Sequence, residues 1–336
     1  MTFLKKLVPL LISAGSLVFA IGICEGVLRL KNKDMKNYDI EMWRYAKLLK
    51  QRSANPVLGH EHVPSSEAVL QSVPVRINSW GLRGGPVEVK RTADRRILVL
   101  GASIAMGWGV PEEKTLAGEL QTHFQKDGLK VEVLNSGVGN YNAVRYTELF
   151  NTKLKALEPT DIVVQYFLRD AEKLEAGGGN WWLRESQLVA TLSLVLQRLA
   201  PGKGATTLEG HYAKVYDPSS VGFSEMKSAL TSLAKYAHEK GIRIVLAMTP
   251  DVQNLSAYPF NQIHSQMAAL SQQLGMEYVD FLPALQGMKP NEIFAMKGDP
   301  HPNSEGHRRM AEVLYPVLKA PAPSQTAPRN VAGIRK

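Results

Sequence analysis

Short apolar runs alternate with longer amphipathic stretches over the last two thirds of the chain. The continuous apolar run 97–100 is typical of a strand buried on both faces, and 161–167 is rich in the β-branched and aromatic residues that favour strands. Stretches with apolar residues three or four positions apart, some closed by Gly241 or Gly275, indicate helices. The pattern predicts strands at 97–100, 131–134, 161–167, 242–248 and 277–281, and helices at 114–125, 143–157, 223–240, 261–274 and 304–318.

Strands that alternate with helices of this length imply a parallel sheet covered on both faces. We expect an α/β fold, a flavodoxin-like three-layer sandwich with about five parallel strands. In such sheets, sites form at the carboxyl ends of the strands. Ser103 follows the first strand, Arg169 and Asp170 follow the third, and His301 precedes the last helix. These side chains are therefore expected to converge.

The N-terminus carries an uncharged, mostly apolar run over 7–24, preceded by Lys5 and Lys6. This length is close to the roughly 20 residues that span a bilayer. One interpretation is a signal peptide cleaved near 18–20. The run exceeds the usual signal-peptide core, which favours an uncleaved signal anchor over 1–30. The lysine pair predicts a cytoplasmic N-terminus, so the remaining chain would face the periplasm or exterior from the inner membrane.

The rest of the chain divides by composition. Residues 31–95 are polar with short apolar patches, and we expect a membrane-proximal stalk and cap there. The main domain is predicted over 96–319, with an insertion over 171–216 that interrupts the alternation. The tail, 320–336, is rich in Ala and Pro, a composition that predicts disorder.

Inside the insertion, Trp181 and Trp182 precede an apolar helix predicted over 185–199. The simplest interpretation is a structural helix with tryptophan anchors. The alternative is a lid or a surface on which sugar rings stack, because loops near sites often carry function.

The net charge is +9, but the basic residues are spread out. No basic patch with interleaved aromatics appears, which argues against nucleic-acid binding. Attraction to anionic lipid or acidic glycan explains the charge as well. The sequence has no P-loop and no dinucleotide fingerprint, and His60 and His62, in a turn-like segment, lack further ligands at metal-binding spacing. We therefore expect neither a cofactor nor a metal.

A serine after a strand and an Asp/His pair before a late helix are the parts of a nucleophilic hydrolase. Ser103 is the candidate nucleophile, although serine also serves as a helix N-cap. His301 could take the serine proton and return it to the leaving group, with Asp299 fixing its tautomer. A capping role for Asp299 is the structural alternative. His307, inside the last helix, is more simply a packing or surface residue than a second base.

Four segments stand in a recognisable order: Gly101-Ala102-Ser103, Asn135-Ser136-Gly137-Val138-Gly139-Asn140, Arg169-Asp170, and Asp299-Pro300-His301-Pro302-Asn303. They resemble the motifs of the SGNH/GDSL hydrolase superfamily, especially its membrane-anchored bacterial members, over residues 78–318. The resemblance implies the SGNH hydrolase fold and a Ser-His-Asp site.

The resemblance also implies an oxyanion hole made by the N–H of Ser103, a backbone N–H of Gly139 or Asn140, and the side chain at position 169. Arg169 stands where the family has Asn, and Ala102 where it has Asp. A guanidinium can donate hydrogen bonds but is longer than an amide. Further substrate contacts could come from Trp181, Trp182 and Asp170.

The leading hypothesis is a membrane-anchored serine ester hydrolase or O-acyltransferase that forms an acyl-enzyme on Ser103. By resemblance its substrate is an acyl group, expected to be acetyl, on an exported or cell-wall polysaccharide, and polysaccharide-export machinery is a candidate partner. Ala102 and Arg169 favour an alternative, a non-catalytic glycan-binding or assembly protein with the same fold. A lipase acting on membrane lipids is a third interpretation, which the scarcity of apolar surface loops disfavours.

Overall fold

The computed structural model describes residues 2–32, 37–174, 183, 185–199, 207–296 and 299–321. Its strands are β1 (Lys50–Arg52), β2 (His60–His62), β3 (Ser66–Leu70), β4 (Val73–Ile77), β5 (Arg95–Gly101), β6 (Val131–Asn135), β7 (Asp161–Phe167), β8 (Arg243–Thr249), β9 (Glu277–Asp280), β10 (Phe294–Met296) and β11 (Asp299–Pro302). Its α-helices are α1 (Thr2–Lys31), α2 (Tyr38–Leu48), α3 (Ser103–Met106), α4 (Leu116–Lys126), α5 (Ala143–Thr152), α6 (Gln187–Leu199), α7 (Leu208–Val215), α8 (Val221–Glu239), α9 (Asn261–Gln273), α10 (Leu282–Leu285), α11 (Pro290–Ile293) and α12 (Ser304–Lys319). Within the described residues, 3-10 helices lie at Glu112–Lys114, Leu154–Leu157 and Leu168–Ala171.

Strands β5 to β9 form one parallel sheet in the order β6-β5-β7-β8-β9. Counted from the first strand of the sheet, this is the 2-1-3-4-5 order of flavodoxin-like proteins. Every residue of β8 is buried, as are all but the last of β7, which explains why both strands are mainly apolar. The predicted α/β fold class is confirmed.

Helices flank the sheet in pairs, with α4 packed against α12 and α5 against α8. Local sequence fixes where they begin. The Thr115 side chain accepts the Gly118 N–H at the start of α4, and the Asn303 side chain accepts the Gly306 N–H at the start of α12. Each cap satisfies a backbone donor that the first helical turn leaves without a partner.

One predicted helix is shorter than expected. Helix α5 ends at Thr152, and Leu154–Leu157 is a 3-10 turn rather than a continuation. Leu154 and Leu157 are both fully buried, so the spacing of apolar residues persists although the backbone changes. The sequence pattern also gave no sign of α7.

The segment predicted as a stalk and cap packs closely on the sheet domain. Leu58 and Leu82 belong to the main core, and Arg83 forms a β-bridge with Asn135 at the end of β6. Tyr45 on α2 packs with Trp108, just after α3. This segment therefore borders the edge where the strands of the sheet end.

Helix α1 is long and apolar enough over Leu7–Lys31 to cross a membrane, as a signal sequence also would be. Its carboxylate Glu25 accepts the N–H groups of Gln187 and Leu188 at 2.9 Å each. An acidic side chain is favourable at a helix N-terminus, so α1 fixes the start of α6.

Candidate active site

Ser103 lies at a sharp turn between β5 and α3. Gly101, the last residue of β5, allows this turn because a Cβ there would come within 2.6 Å of the Ala105 Cβ and 2.8 Å of the Gln165 carbonyl oxygen. Ser103 is the first residue of α3. The turn thus holds the serine at the carboxyl end of the central strand.

Asp299 and His301 lie on β11, two residues apart. Alternate residues of a strand point to the same face, so the Asp-x-His spacing brings both side chains together. The Asp299 Oδ1 is 2.5 Å from the His301 Nδ1, and the His301 Nε2 is 2.7 Å from the Ser103 Oγ. The structure therefore brings the three predicted catalytic side chains into one hydrogen-bonded chain.

Asp299 is fully buried and accepts hydrogen bonds on both oxygens. Its Oδ2 accepts from the Gln71 Nε2 and from the Trp108 Nε1, each at 3.0 Å. Burial alone would raise the pKa of Asp299, but the hydrogen bonds from His301 and Gln71 lower it below its ordinary value. The aspartate is thus ionised and oriented toward the histidine.

Gln71 and Trp108 were not predicted, and neither was Tyr38. The Tyr38 ring stacks on the His301 imidazole with ring centroids 6.1 Å apart and planes inclined by 28°. Burial and the charge of Asp299 raise the pKa of Tyr38. Tyr38 is the first residue of α2 and Gln71 follows β3, so the segment before the sheet domain contributes side chains to the site.

The two candidate backbone donors of the oxyanion hole differ in their surroundings. The Gly139 N–H is bonded to the Tyr45 hydroxyl oxygen at 2.9 Å. Asn140, with a left-handed φ of 69°, lines the same cavity as Ser103. The geometry therefore favours the Asn140 N–H, together with that of Ser103.

Arg169 and Asp170 follow β7 and also line this cavity. The Arg169 side chain is 53% exposed, and its Nε is 3.3 Å from a Glu172 carboxylate oxygen. Asp170 is buried, and its Oδ2 accepts the Phe167 N–H at 3.1 Å. Burial raises the pKa of Asp170 to about 8, so this acid is mostly neutral at pH 7.

Other sequence candidates take structural positions or fall outside the described residues. Trp181 and Trp182 lie outside them. His307 is fully buried; its Nδ1 accepts the Leu116 N–H at 3.1 Å, and burial lowers its pKa to about 3. Of the packing and surface positions that the sequence left open for it, the structure shows packing. His60 and His62 form strand β2 rather than a turn.

The cavity in front of Ser103 has a volume of about 110 Å³. Tyr38, Met42 and Phe167 contribute apolar and aromatic side chains to its wall, and His301 also lines it. A larger groove of about 860 Å³ opens elsewhere, between the β4 region and α4, and its lining includes none of the three triad residues. The small cavity is therefore the one that adjoins the reactive groups.

A flavodoxin-like sheet with a hydrogen-bonded Ser-His-Asp chain at its carboxyl edge defines the structural class of this protein. The same hydrogen-bonded Ser-His-Asp triad occurs on unrelated folds, where the serine attacks acyl groups as a nucleophile. No family model matches the sequence, and no curated protein matches it.

Solved structures similar to this chain include a protein of the lipolytic G-D-S-L family from Desulfitobacterium hafniense DCB-2, with 14% identity, a TM-score of 0.43 and coverage of 67% of this chain and 100% of that one. A two-domain esterase active on acetylated mannans has 17% identity and a TM-score of 0.45, with coverage of 72% and 54%. An acetyl-xylooligosaccharide esterase from Geobacillus has 13% identity and a TM-score of 0.45, with coverage of 68% and 96%.

Proposed function

We propose that this protein is a serine-dependent ester hydrolase or O-acyltransferase that forms an acyl-enzyme on Ser103. The observation that carries the proposal is the chain of hydrogen bonds from the Ser103 Oγ through His301 to Asp299, at 2.7 and 2.5 Å. A serine hydroxyl is a weak nucleophile until a neighbouring base takes its proton, and His301 is within reach of that proton.

In the first half-reaction the Ser103 Oγ attacks the ester carbonyl carbon while its proton moves to the His301 Nε2. The carbonyl oxygen becomes an oxyanion that the N–H groups of Ser103 and Asn140 stabilise. Asp299 accepts the His301 Nδ1–H and stabilises the imidazolium. When the intermediate collapses, the alkoxide leaving group takes the proton from His301, and the acyl group stays on Ser103.

The second half-reaction repeats these steps with a new hydroxyl. Water attacking the acyl-enzyme gives hydrolysis, and a sugar hydroxyl gives O-acyl transfer. In both cases His301 takes the proton of the attacking hydroxyl and returns it to the Ser103 Oγ. The same three side chains therefore serve both outcomes, and the acceptor decides between them.

The size of the cavity supports a small acyl group. At about 110 Å³ it is well below the roughly 300–1,000 Å³ of pockets that enclose drug-sized ligands. An acetyl group fits this space, whereas a long acyl chain would need to extend out of it. The polysaccharide carrier follows from the resemblance of the motifs, and the chain's positive charge suits an acidic glycan.

Helix α1 supports a location at the inner membrane. We propose that it is a single-pass anchor that holds the site on the periplasmic or exterior side, near machinery that exports polysaccharide. The contacts of Glu25 with Gln187 and Leu188 attach the end of α1 to the start of α6, and because Glu25 follows the candidate cleavage site near 18–20, they would persist in either form of the chain.

A non-catalytic glycan-binding protein is the second candidate function. The exposed Arg169, paired with Glu172, replaces the amide of the related motif, and Ala102 replaces its aspartate. Both differences favour a protein that has the hydrolase fold but binds glycan without catalysing a reaction. The presence or absence of a reactive Ser103 separates the two candidates.

The test uses the full chain in detergent micelles, with p-nitrophenyl acetate as donor and fluorophosphonate as a serine probe. Ser103→Ala and His301→Ala are expected to lower turnover by at least about 10³-fold, because the triad acts as a unit. Ser228→Ala, on the exposed face of α8, is the matched control and is expected to retain full activity. When an oligosaccharide is added as the acceptor, detection of its acetylated form by mass spectrometry would identify acyl transfer. Turnover and labelling that do not depend on Ser103 would favour the binding protein.

A further inference from the structure

The hairpin β1–β2 contacts the turn that carries the candidate oxyanion donor. Lys50 on β1 pairs with His62 on β2, and His60 lies two residues before His62. Residues that alternate on a strand share a face. Lys50, His60 and His62 therefore project from one face of the hairpin, and this face lies against Gly139.

The carbonyl oxygen of Gly139 is held from this face. The His60 Nε2 is 2.9 Å from it and the Lys50 Nζ is 3.2 Å from it. The shorter contact is a hydrogen bond only if the His60 Nε2 carries a proton and donates it. The carbonyl oxygen thus accepts from both side chains. The Lys50 Nζ lies 3.3 Å from the His60 Nε2, so the two donors converge on one oxygen.

The N–H of Gly139 is held as well. It donates to the Tyr45 hydroxyl oxygen, which lies 2.7 Å from the His62 Nε2, and the His62 Nδ1 is 2.8 Å from the Gly81 carbonyl oxygen. The His62 Nδ1 must donate to that carbonyl, so its Nε2 accepts the Tyr45 O–H. Tyr45 and His62 are buried, and the relay satisfies each of the polar atoms in it.

The geometry of the peptide unit links these contacts to the site. The Gly139 carbonyl and the Asn140 N–H belong to one planar trans peptide, in which C=O and N–H point in opposite directions. Asn140 lines the cavity of Ser103, whereas Lys50 and His60 are not among its lining residues. A carbonyl held toward the hairpin therefore directs the N–H toward the cavity. Arg145 holds the next carbonyl, that of Asn140, at 3.2 Å.

We propose that Lys50 and His60 are positioning residues that fix the Gly139–Asn140 peptide so that the Asn140 N–H faces the oxyanion. This inference rests on the proposed function and adds a role for a hairpin outside the sheet domain. The carbonyl hydrogen bonds prevent the peptide from turning over. Burial and the nearby Arg145 lower the pKa of Lys50 to about 7, and its Nζ can donate to the carbonyl oxygen in both the charged and the neutral form.

The test compares His60→Phe with His60→Gln in the full chain. Phenylalanine keeps the ring contact of His60 with Tyr141, at 5.1 Å between centroids, but has no donor. Glutamine places an N–H near the position of the His60 Nε2. Because loss of an oxyanion donor costs about 10²–10³-fold in kcat, we expect His60→Phe to lower kcat at least about 10-fold with little change in KM. His60→Gln is expected to restore most of that loss.

Lys50→Met is the second variant, since it removes the other donor and leaves His60 in place; it is expected to lower kcat in the same way. The matched control is His238→Phe, because the His238 Nε2 also contacts a glycine carbonyl, that of Gly275 at 3.2 Å, at an exposed position. Its kcat should equal that of the unsubstituted protein, and thermal melting of each variant reports its folding.

Unchanged kcat in both His60→Phe and Lys50→Met would overturn the positioning role while leaving the proposed function intact. Equal losses in His60→Phe and His60→Gln would also overturn it, because then the donor does not matter. If the unsubstituted protein shows no turnover that depends on Ser103, the proposed function fails and this inference fails with it.

Discussion

Gln71 donates a hydrogen bond from its Nε2 to the Asp299 Oδ2 at 3.0 Å, although 228 positions separate the two residues. Gln71 lies at the tip of the β3–β4 hairpin with a left-handed φ of 49°. The same hairpin is tied to α2, because the Gln71 N–H donates to the Glu41 carboxylate at 2.6 Å. The segment that joins α1 to the sheet domain is therefore part of the support of the triad.

The first prediction follows from this contact. Gln71→Met keeps the length of the side chain but removes the donor, so the Asp299 Oδ2 keeps only the Trp108 N–H. A hydrogen bond to a charged group is worth about 1.5–3 kcal/mol, and part of this orients Asp299 for His301. We expect kcat to fall about 10-fold, measured with p-nitrophenyl acetate.

Gln253→Met is the matched control for this prediction. The Gln253 Nε2 also bonds an aspartate oxygen, that of Asp251 at 3.3 Å, but this pair does not line the cavity of Ser103. Its kcat should match that of the unsubstituted protein. An unaffected Gln71→Met would mean that Trp108 alone suffices to hold Asp299.

The fold and the triad could be predicted because their signals are local. The buried strands show as short, mainly apolar segments, and their alternation with helices indicates a parallel sheet. Ser103 follows a strand, while Asp299 and His301 share one face of a short strand. These residues are placed by neighbours within a few positions, so the sequence around them is informative.

The supporting side chains could not be predicted in this way. Gln71, Tyr38 and Tyr45 reach the site through contacts between distant parts of the chain. Their local sequence does not distinguish them from other polar or aromatic residues. The choice between Gly139 and Asn140 also depends on such contacts, because the Tyr45 hydroxyl bonds the Gly139 N–H while Asn140 lines the cavity of Ser103.

The second prediction concerns Tyr45 and stability. Tyr45→Phe removes the hydroxyl between the Gly139 N–H and the His62 Nε2, which leaves two buried polar groups without that partner. An unsatisfied buried group costs about 1–3 kcal/mol. We expect the free energy of unfolding in urea to fall by at least this amount. Tyr315→Phe is the control, because its hydroxyl bonds Asp127 at the exposed surface, and its cost should stay within about 0.5 kcal/mol.

The third prediction concerns Gly137, which lies where α3 crosses the end of β6. A Cβ at Gly137 would come within 2.0 Å of the Met106 backbone nitrogen, so Gly137→Ala must displace the short helix that carries Ser103. Overpacking of this kind costs about 1–3 kcal/mol, and the displaced serine should react more slowly with fluorophosphonate. Gly15→Ala meets no atom within 4 Å and serves as the control. A normal reaction rate in Gly137→Ala would show that α3 tolerates the shift.

The fourth prediction concerns Asp170 and pH. Burial raises the pKa of Asp170 from its ordinary 3.8 to about 8 in the folded protein. Between these values the folded state holds a proton that the unfolded state releases, so stability falls as pH rises. The stability that the protonated Asp170 contributes is fully present below about pH 4 and is lost progressively up to about pH 8. Above that pH, the effect of Asp170 on stability no longer changes with pH.

Asp170→Asn removes this titration while keeping a neutral side chain of similar shape. We expect the free energy of unfolding of the unsubstituted protein, relative to Asp170→Asn, to fall steadily from pH 5 to pH 8 in urea titrations. Asp217→Asn is the control, because hydrogen bonds from Ser219 lower the pKa of this exposed aspartate and it stays ionised throughout that range. The difference for Asp217→Asn should therefore not change with pH. Parallel curves for the unsubstituted protein and Asp170→Asn would mean that Asp170 does not gain a proton on folding in this pH range.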